Sequence, residues 1–125
     1  MRVSNLLEYT ENHRYFVSRD FALGAIDRKL LVSLYQPMTG AYALGLYHLL
    51  YHRMEEETTG YSVPEPQRRL FLGMDAEPNA AGRKALVEAS SRLEAVGLLQ
   101  VYRHGNPVTD ETIYEYALLR PLGAS

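Results

Sequence analysis

One stretch near the carboxyl terminus limits the fold more than any other: an amphipathic segment that stops at a glycine and leads into two β-like runs. In residues 79–96, apolar side chains recur at steps of three and four, which places them on one side of an α-helix. Gly97 predicts the end of this helix, because glycine enters the left-handed backbone region without a steric penalty. Asn79 follows Pro78 and predicts its beginning, since asparagine caps free N–H groups.

The two runs after this helix alternate apolar and polar side chains, as strands with one buried face do. Residues 98–103 and 113–118 show this period of two. Residues 105–110 between them are rich in glycine, asparagine, proline and aspartate, which is typical of a turn. We therefore predict an antiparallel hairpin. Helix, tight exit and hairpin together form the second half of a winged helix.

The middle of the chain predicts three further helices. Asp27 can cap the first, which we expect to end before Pro37 because proline disfavours helical geometry in the preceding residue. Residues 40–57 predict the longest helix, which is apolar on two sides and so needs two partners, one of them the amino-terminal segment or a second subunit. Pro66 begins a short helix, QRRLFLGM, that stops at Gly73.

The amino-terminal 26 residues are expected to form an extension to this body. Residues 6–9 fit a short helix, and residues 15–17 are β-formers that fit a short strand. By analogy with other winged helices, that strand pairs with the wing hairpin into a three-stranded sheet. We predict an α+β fold, a mainly helical winged helix-turn-helix with a C-terminal β-hairpin wing joined by a short N-terminal strand. Residues 1–125 suit one domain, with an extension at 1–26 and a winged-helix body at 27–125.

Composition argues against several functional classes. The chain has 13 basic and 15 acidic residues, so no overall positive field attracts a polyanion. It has no cysteine, which removes disulfides, thiolate nucleophiles and cysteine metal sites. The sequence shows no secretory signal and no apolar stretch of membrane-spanning length. We expect a cytoplasmic protein, peripheral to the membrane at most through its full-length form.

No enzyme motif is present in the sequence. It contains no G-x-S-x-G elbow, no phosphate-binding G-x-x-x-x-G-K-[ST] loop and no G-x-G-x-x-G. Carboxylates are scattered and do not suggest an acid and base pair. We expect no catalysis, no cofactor and no small-molecule substrate.

Two histidines four residues apart raise the question of a metal. His48, His52 and Glu56 would project from one side of a helix, as zinc ligands sometimes do. The string HLLYH lacks the glutamate that follows the first histidine in zinc proteases and acts as their general base. We therefore expect two histidines on the polar edge of a packed helix and no metal.

A winged helix raises the hypothesis of DNA binding, in which the helix at residues 79–96 enters the major groove and the wing reaches phosphate. Acidic residues share the same elements, among them Glu88 and Glu94 on the helix and Glu111 near the wing turn. Both DNA contact and a solvated face of mixed charge are open on this pattern. The candidate DNA-binding residues are Arg68, Arg69, Arg83, Lys84, Arg92 and Arg103, with His104 beside the last.

The chain has ten tyrosines and no tryptophan. Tyrosine combines a large apolar body with a polar tip, which suits a surface shared between subunits, although lining an ordinary core explains it equally well. The two-sided apolar helix favours a contact between copies of the chain. The candidate interface residues are Tyr42, Leu46, Tyr47, Leu50 and Tyr51.

Several runs resemble a known family. They are DRKLLVSLYQPMTGAYALGLYHLLY, QRRLFLGM, SSRLEAVGLLQVYR and YEYALLRP, of which LYQPMTG and LEAVGLLQVY are the most specific. Over residues 19–121 the chain resembles the amino-terminal domain of the DnaB/DnaD family of helicase loaders, the replication initiation and membrane-attachment proteins of low-GC Gram-positive bacteria. The replicative helicase called DnaB elsewhere is a different protein.

The resemblance implies a winged-helix domain that self-associates as a dimer or tetramer, followed in the family by helical domains that bind DNA and help bring the helicase to the origin. It also implies other primosome proteins as partners, DnaD-like proteins and the helicase or its loader. The family's Y-x-x-x-I-x-x-x-W element for single-stranded DNA is absent, so we expect an isolated amino-terminal module whose DNA contact is weak. The alternative is a stand-alone winged-helix DNA-binding regulator.

Overall fold

The structure, a computed structural model, describes residues 12–21, 27–55, 57–106, 108–109 and 111–121. The helix expected at residues 6–9 lies outside this part of the chain. The elements, in order, are β1 (Arg14–Arg19), α1 (Arg28–Leu30), a π-helical turn (Leu31–Tyr35), α2 (Gln36–Thr39), α3 (Ala41–Glu55), β2 (Glu65–Pro66), α4 (Gln67–Gly73), α5 (Ala80–Ala95), β3 (Leu99–Asn106) and β4 (Glu111–Leu118).

The sheet has the strand order β2-β1-β4-β3. Strands β3 and β4 pair antiparallel as the wing, and β1 runs parallel to β4 from Arg14 opposite Ile113 to Arg19 opposite Leu118. The α+β winged-helix fold and its short amino-terminal strand are thus confirmed. The described part of the sheet has four strands where three were expected, because the two residues of β2 pair with the outer edge of β1.

Both predicted boundaries of α5 are confirmed. The Asn79 side chain accepts a hydrogen bond from the backbone N–H of Gly82 at 2.9 Å and so caps the first turn. At the other end Gly97 has a φ of 76°. Its N–H donates to the carbonyl of Glu94 at 3.1 Å, and the N–H of Leu98 donates to that of Leu93 at 3.0 Å. These two bonds satisfy carbonyls that the end of a helix leaves without partners.

The prediction that the first helix ends before Pro37 is wrong. The preceding segment widens into the π-helical turn, in which the Gln36 N–H donates to the carbonyl of Leu31. Pro37 then lies in the first turn of α2, directly after the wide turn, and has no backbone N–H to continue the helical hydrogen bonds. The chain changes direction three residues later at Gly40, whose φ is 85°.

Helix α3 lies at the centre of the domain. It has 15 described residues, against 16 in α5. It contacts α5, β1 and β4, and its side chains at Leu46, Tyr47, Leu50 and Met54 have no exposed surface. The second partner that its two apolar sides require is therefore the domain's own sheet.

A buried hydrogen bond joins the helical layer to the sheet. Gln67 begins α4 and has no exposed surface, and its side-chain oxygen accepts from the hydroxyl of Tyr116 on β4, which is also fully buried. Buried polar groups without such partners are costly. This contact therefore fixes the position of α4 over the sheet.

The left-handed backbone at Gly97 predicts a measurable cost for Gly97→Ala. A Cβ there would meet no atom within 4 Å, so the cost is conformational, and we expect a loss of about 1 to 2 kcal/mol in the free energy of unfolding, measured by urea denaturation. Gly105→Ala is the matched control, because that position is equally open but does not have positive φ. Equal losses in the two variants would contradict this account of the helix end.

The buried bond between Tyr116 and Gln67 generates a second prediction. Tyr116→Phe removes the hydroxyl that donates to the buried Gln67 oxygen, so we expect a loss of about 1 to 3 kcal/mol in the free energy of unfolding. Tyr102→Phe is the control. Tyr102 is 46% exposed, so loss of its hydroxyl should lower the free energy of unfolding by less than about 0.5 kcal/mol. Similar urea midpoints for both variants would show that the buried bond contributes nothing.

Candidate nucleic-acid and self-association surfaces

The helix that a winged helix would present to DNA, α5, has an exposed face of alternating charge. Lys84, Glu88 and Arg92 are exposed and follow one another at steps of four residues. One Arg92 nitrogen lies 3.1 Å from the Glu88 carboxylate and the other donates to the carbonyl of Thr39 at 3.3 Å. The Arg92 charge is therefore partly compensated within the domain, although an exposed pair of this kind is weak and screened by salt.

The remaining candidate cations are distributed over other elements or faces. Arg68 and Arg69 are exposed on α4, and Arg69 lies 3.6 Å from the carboxylate of Glu65. Arg83 is half-buried on α5, and Arg103 is exposed on β3. Of the six predicted cations, the structure brings Lys84 and Arg92 to one exposed helix face, with a carboxylate between them.

The Glu65 carboxylate is the centre of a partly buried charge group. Arg53 lies 3.1 Å away and the Tyr15 hydroxyl donates to it at 3.5 Å. Burial and the negative charge of Glu65 raise the pKa of Tyr15, and Arg53 opposes that rise. Tyr15 is therefore protonated and a donor at neutral pH, and the group ties β1, the end of α3 and β2 together.

Three of the five predicted interface residues are not on the surface. Leu46, Tyr47 and Leu50 have no exposed area within the single chain, so in this structure they belong to the core. Periodicity showed that α3 is apolar on two sides but not which element covers each side. The two predicted interface residues with exposed area are Tyr42, which is 42% exposed, and the half-buried Tyr51.

The α3 tyrosines anchor their hydroxyls to backbone carbonyls. Tyr47 donates to Leu119 at 3.2 Å, and Tyr42 donates to Met74 at 2.9 Å. Burial raises the pKa of Tyr47 far above its usual value, with a smaller contribution from Tyr51 and Tyr35. Burial and Asp75 raise the pKa of Tyr42. Both groups are therefore neutral donors at neutral pH.

Three apolar side chains on the helical side are exposed. Val32 is 62% exposed, Met38 49% and Leu34 39%, on the π-helical turn and α2. Val32 and Tyr51 also line a groove of about 620 Å³ between this segment and α3, with Arg28 and Glu55 among its other residues. A π turn changes the angle between successive side chains, so apolar spacing at the α-helical period does not show which side chains of this segment face outward.

The structure places the histidines considered as metal ligands on an exposed helix surface. His48 and His52 are exposed, and the His52 ring lies 3.4 Å from the carboxylate of Glu55. Glu56 lies outside the described residues. Within the part of the chain that is described, no group of three or more His, Asp or Glu could hold a metal ion. Nor is any of the described helices long and apolar enough to cross a bilayer.

Comparison with known proteins identifies the fold family. Residues 10–125 match the model of the DnaB N-terminal winged helix domain. The crystal structure of primosome protein DnaB (residues 1–300) from Geobacillus stearothermophilus is similar, with a TM-score of 0.76 and 30% sequence identity over 92% of this chain. This chain covers 40% of that chain. The resemblance predicted from the sequence is confirmed, and the chain belongs to the DnaB N-terminal winged-helix domain family.

Proposed function

We propose that this domain is the self-association and partner-docking module of a primosomal replication initiation protein that helps load the replicative helicase at the origin, with DNA contact secondary. The observation that carries the proposal is a contrast between two surfaces. The α5 face places Glu88 between its two cations, whereas the helical side exposes the apolar side chains of Val32, Leu34 and Met38. The similarity of the chain to a primosome protein supports a place for the chain in a replication complex.

The charge on α5 is poorly suited to a phosphate backbone. Binding to DNA gains most of its free energy from counterions released by clustered cations. Arg92 would have to leave the carboxylate of Glu88 to reach a phosphate, and Glu88 would repel the phosphate that Lys84 attracts. The expected gain from this face is therefore small.

The apolar patch is suited to a protein partner. Val32, Leu34 and Met38, which we call the helical patch, expose side chains whose burial would contribute about 25 cal/mol for each Å² removed from water. Exposed apolar side chains beside a groove are typical of protein contact sites, and Val32 lines such a groove. We assign self-association to the helical patch and the groove edge at Tyr51.

Self-association predicts a mass above that of the monomer at high micromolar concentration. Val32→Glu places a charge in the helical patch, so we expect it to shift the mass measured by light scattering toward the monomer. Val63→Glu is a closely matched control, because Val63 is 63% exposed against 62% for Val32 but lies on the loop before β2. A monomeric unsubstituted chain, or equal effects of both substitutions, would remove the assignment.

The alternative function, a stand-alone DNA-binding regulator, predicts a different measurement. We expect the chain to bind duplex DNA no more tightly than non-specific proteins do at physiological salt, with a Kd of about 10⁻⁴ to 10⁻⁶ M in fluorescence anisotropy. Lys84→Ala should change this Kd no more than Lys29→Ala does. Lys29 is the control because it is also exposed but lies on α1. Tight, salt-dependent binding that only Lys84→Ala weakens would favour the regulator.

A further inference from the structure

The face of the sheet turned away from the helices is a registered grid of side chains. Tyr15, Val17, Tyr114 and Tyr116 point into the core, so the residues that alternate with them point outward. Strand pairing places these outward residues in three rows across β1, β4 and β3. The rows are Arg14–Ile113–His104, Phe16–Glu115–Tyr102 and Ser18–Ala117–Gln100.

Aromatic rings cross this grid. The ring of Phe16 stacks near that of His104, with centroids 6.2 Å apart and an angle of 23° between planes. The ring centroid of Tyr61 lies 6.1 Å from that of Phe16, and the ring centroid of Tyr102 lies 6.4 Å from that of His104. Tyr61 is 61% exposed and Tyr102 is 46% exposed. The face therefore presents a band of rings that the single chain leaves partly uncovered.

A carboxylate is held at the centre of the grid. Glu115 accepts a hydrogen bond from the Ser18 hydroxyl at 2.6 Å with one oxygen, and its other oxygen lies 2.8 Å from Nε2 of His104. Each oxygen of the Glu115 carboxylate can accept a further hydrogen bond, and 19% of the Glu115 side-chain surface is exposed. Arg14, at the grid corner, directs its guanidinium to the carbonyl of Pro64 at 3.4 Å, beside β2.

We infer that this outer sheet face docks a partner protein through an arginine side chain, which stacks on the Phe16 and Tyr102 rings and pairs with Glu115. A guanidinium is planar, stacks on aromatic faces and forms paired hydrogen bonds with a carboxylate. Aromatic rings also stack with nucleic-acid bases, but phosphates there would meet Glu115, and the one arginine among the nine grid positions, Arg14, lies at a corner and donates to the Pro64 carbonyl. The negative charge of Glu115 at the centre of the grid therefore favours a cationic side chain.

This inference rests on the partner-docking part of the proposed function and is independent of self-association. Its direct test is an NMR titration of the ¹⁵N-labelled chain with a capped Gly-Leu-Arg-Leu-Gly peptide. We expect amide shifts centred on Phe16, Tyr102 and Glu115. The same peptide with citrulline, a neutral isostere of arginine, should bind about tenfold more weakly because the charge is absent.

Substitutions separate the grid from general charge effects. Glu115→Gln should weaken binding of the arginine peptide about tenfold, and Tyr102→Ala, at a half-exposed side chain, should weaken it several-fold. Glu111→Gln is the matched control, because it makes the same change of charge on the same strand outside the grid, and should change the affinity less than twofold. Thermal unfolding confirms that each variant is folded.

Several results would overturn the inference. They are an absence of shifts at millimolar peptide, equal binding of the citrulline peptide, or equal effects of Glu115→Gln and Glu111→Gln. Tighter binding of oligodeoxythymidylate to the same amides would assign the face to nucleic acid. Glu115→Gln should leave the light-scattering mass unchanged, so that failure of the docking site and failure of self-association are distinguishable.

Discussion

The burial of α3 between α5 and the sheet is the constraint on which the rest of the domain depends. Each large apolar side chain buried there contributes about 1.5 to 3 kcal/mol relative to an exposed one, and four of them have no exposed surface. Covering α3 on the sheet side requires β1 to lie next to β4, although these strands are far apart in the sequence. The wing is therefore part of the layer that encloses the central helix.

This arrangement determines where a partner can bind. Residues buried in the core, such as Tyr47, contribute no surface for a partner, whereas the π-helical turn and the outer sheet face expose apolar and aromatic side chains. A winged-helix fold does not by itself imply DNA binding, because function depends on the groups at a site. Here the helix that would read DNA pairs Arg92 with Glu88. The surfaces with exposed apolar or aromatic groups are the better candidates for contact with proteins.

The sequence predicted those parts of the fold that depend on neighbouring residues. The cap at Asn79, the stop at Gly97 and the wing hairpin each need only a few consecutive side chains, and all are confirmed. The π-helical turn before Pro37 was missed, because which carbonyl accepts from Gln36 is not encoded in apolar spacing. The grid was also missed, because Ser18 and Glu115 are 97 positions apart and meet only through the register of β1 against β4.

Glu115 shows how a single residue can serve the fold and a docking surface together. Its bonds to Ser18 and His104 cross three strands, so it reinforces the register that the burial of α3 requires. A neutral amide could accept from Ser18 with its oxygen and donate to His104 with its nitrogen, without the cost of holding a charge beside aromatic rings. The described partners of Glu115 do not match that charge fully, since Ser18 is neutral and an imidazole is charged only when protonated. A cation from outside the chain would complete the balance, and the rings of Phe16 and Tyr102 favour a flat one.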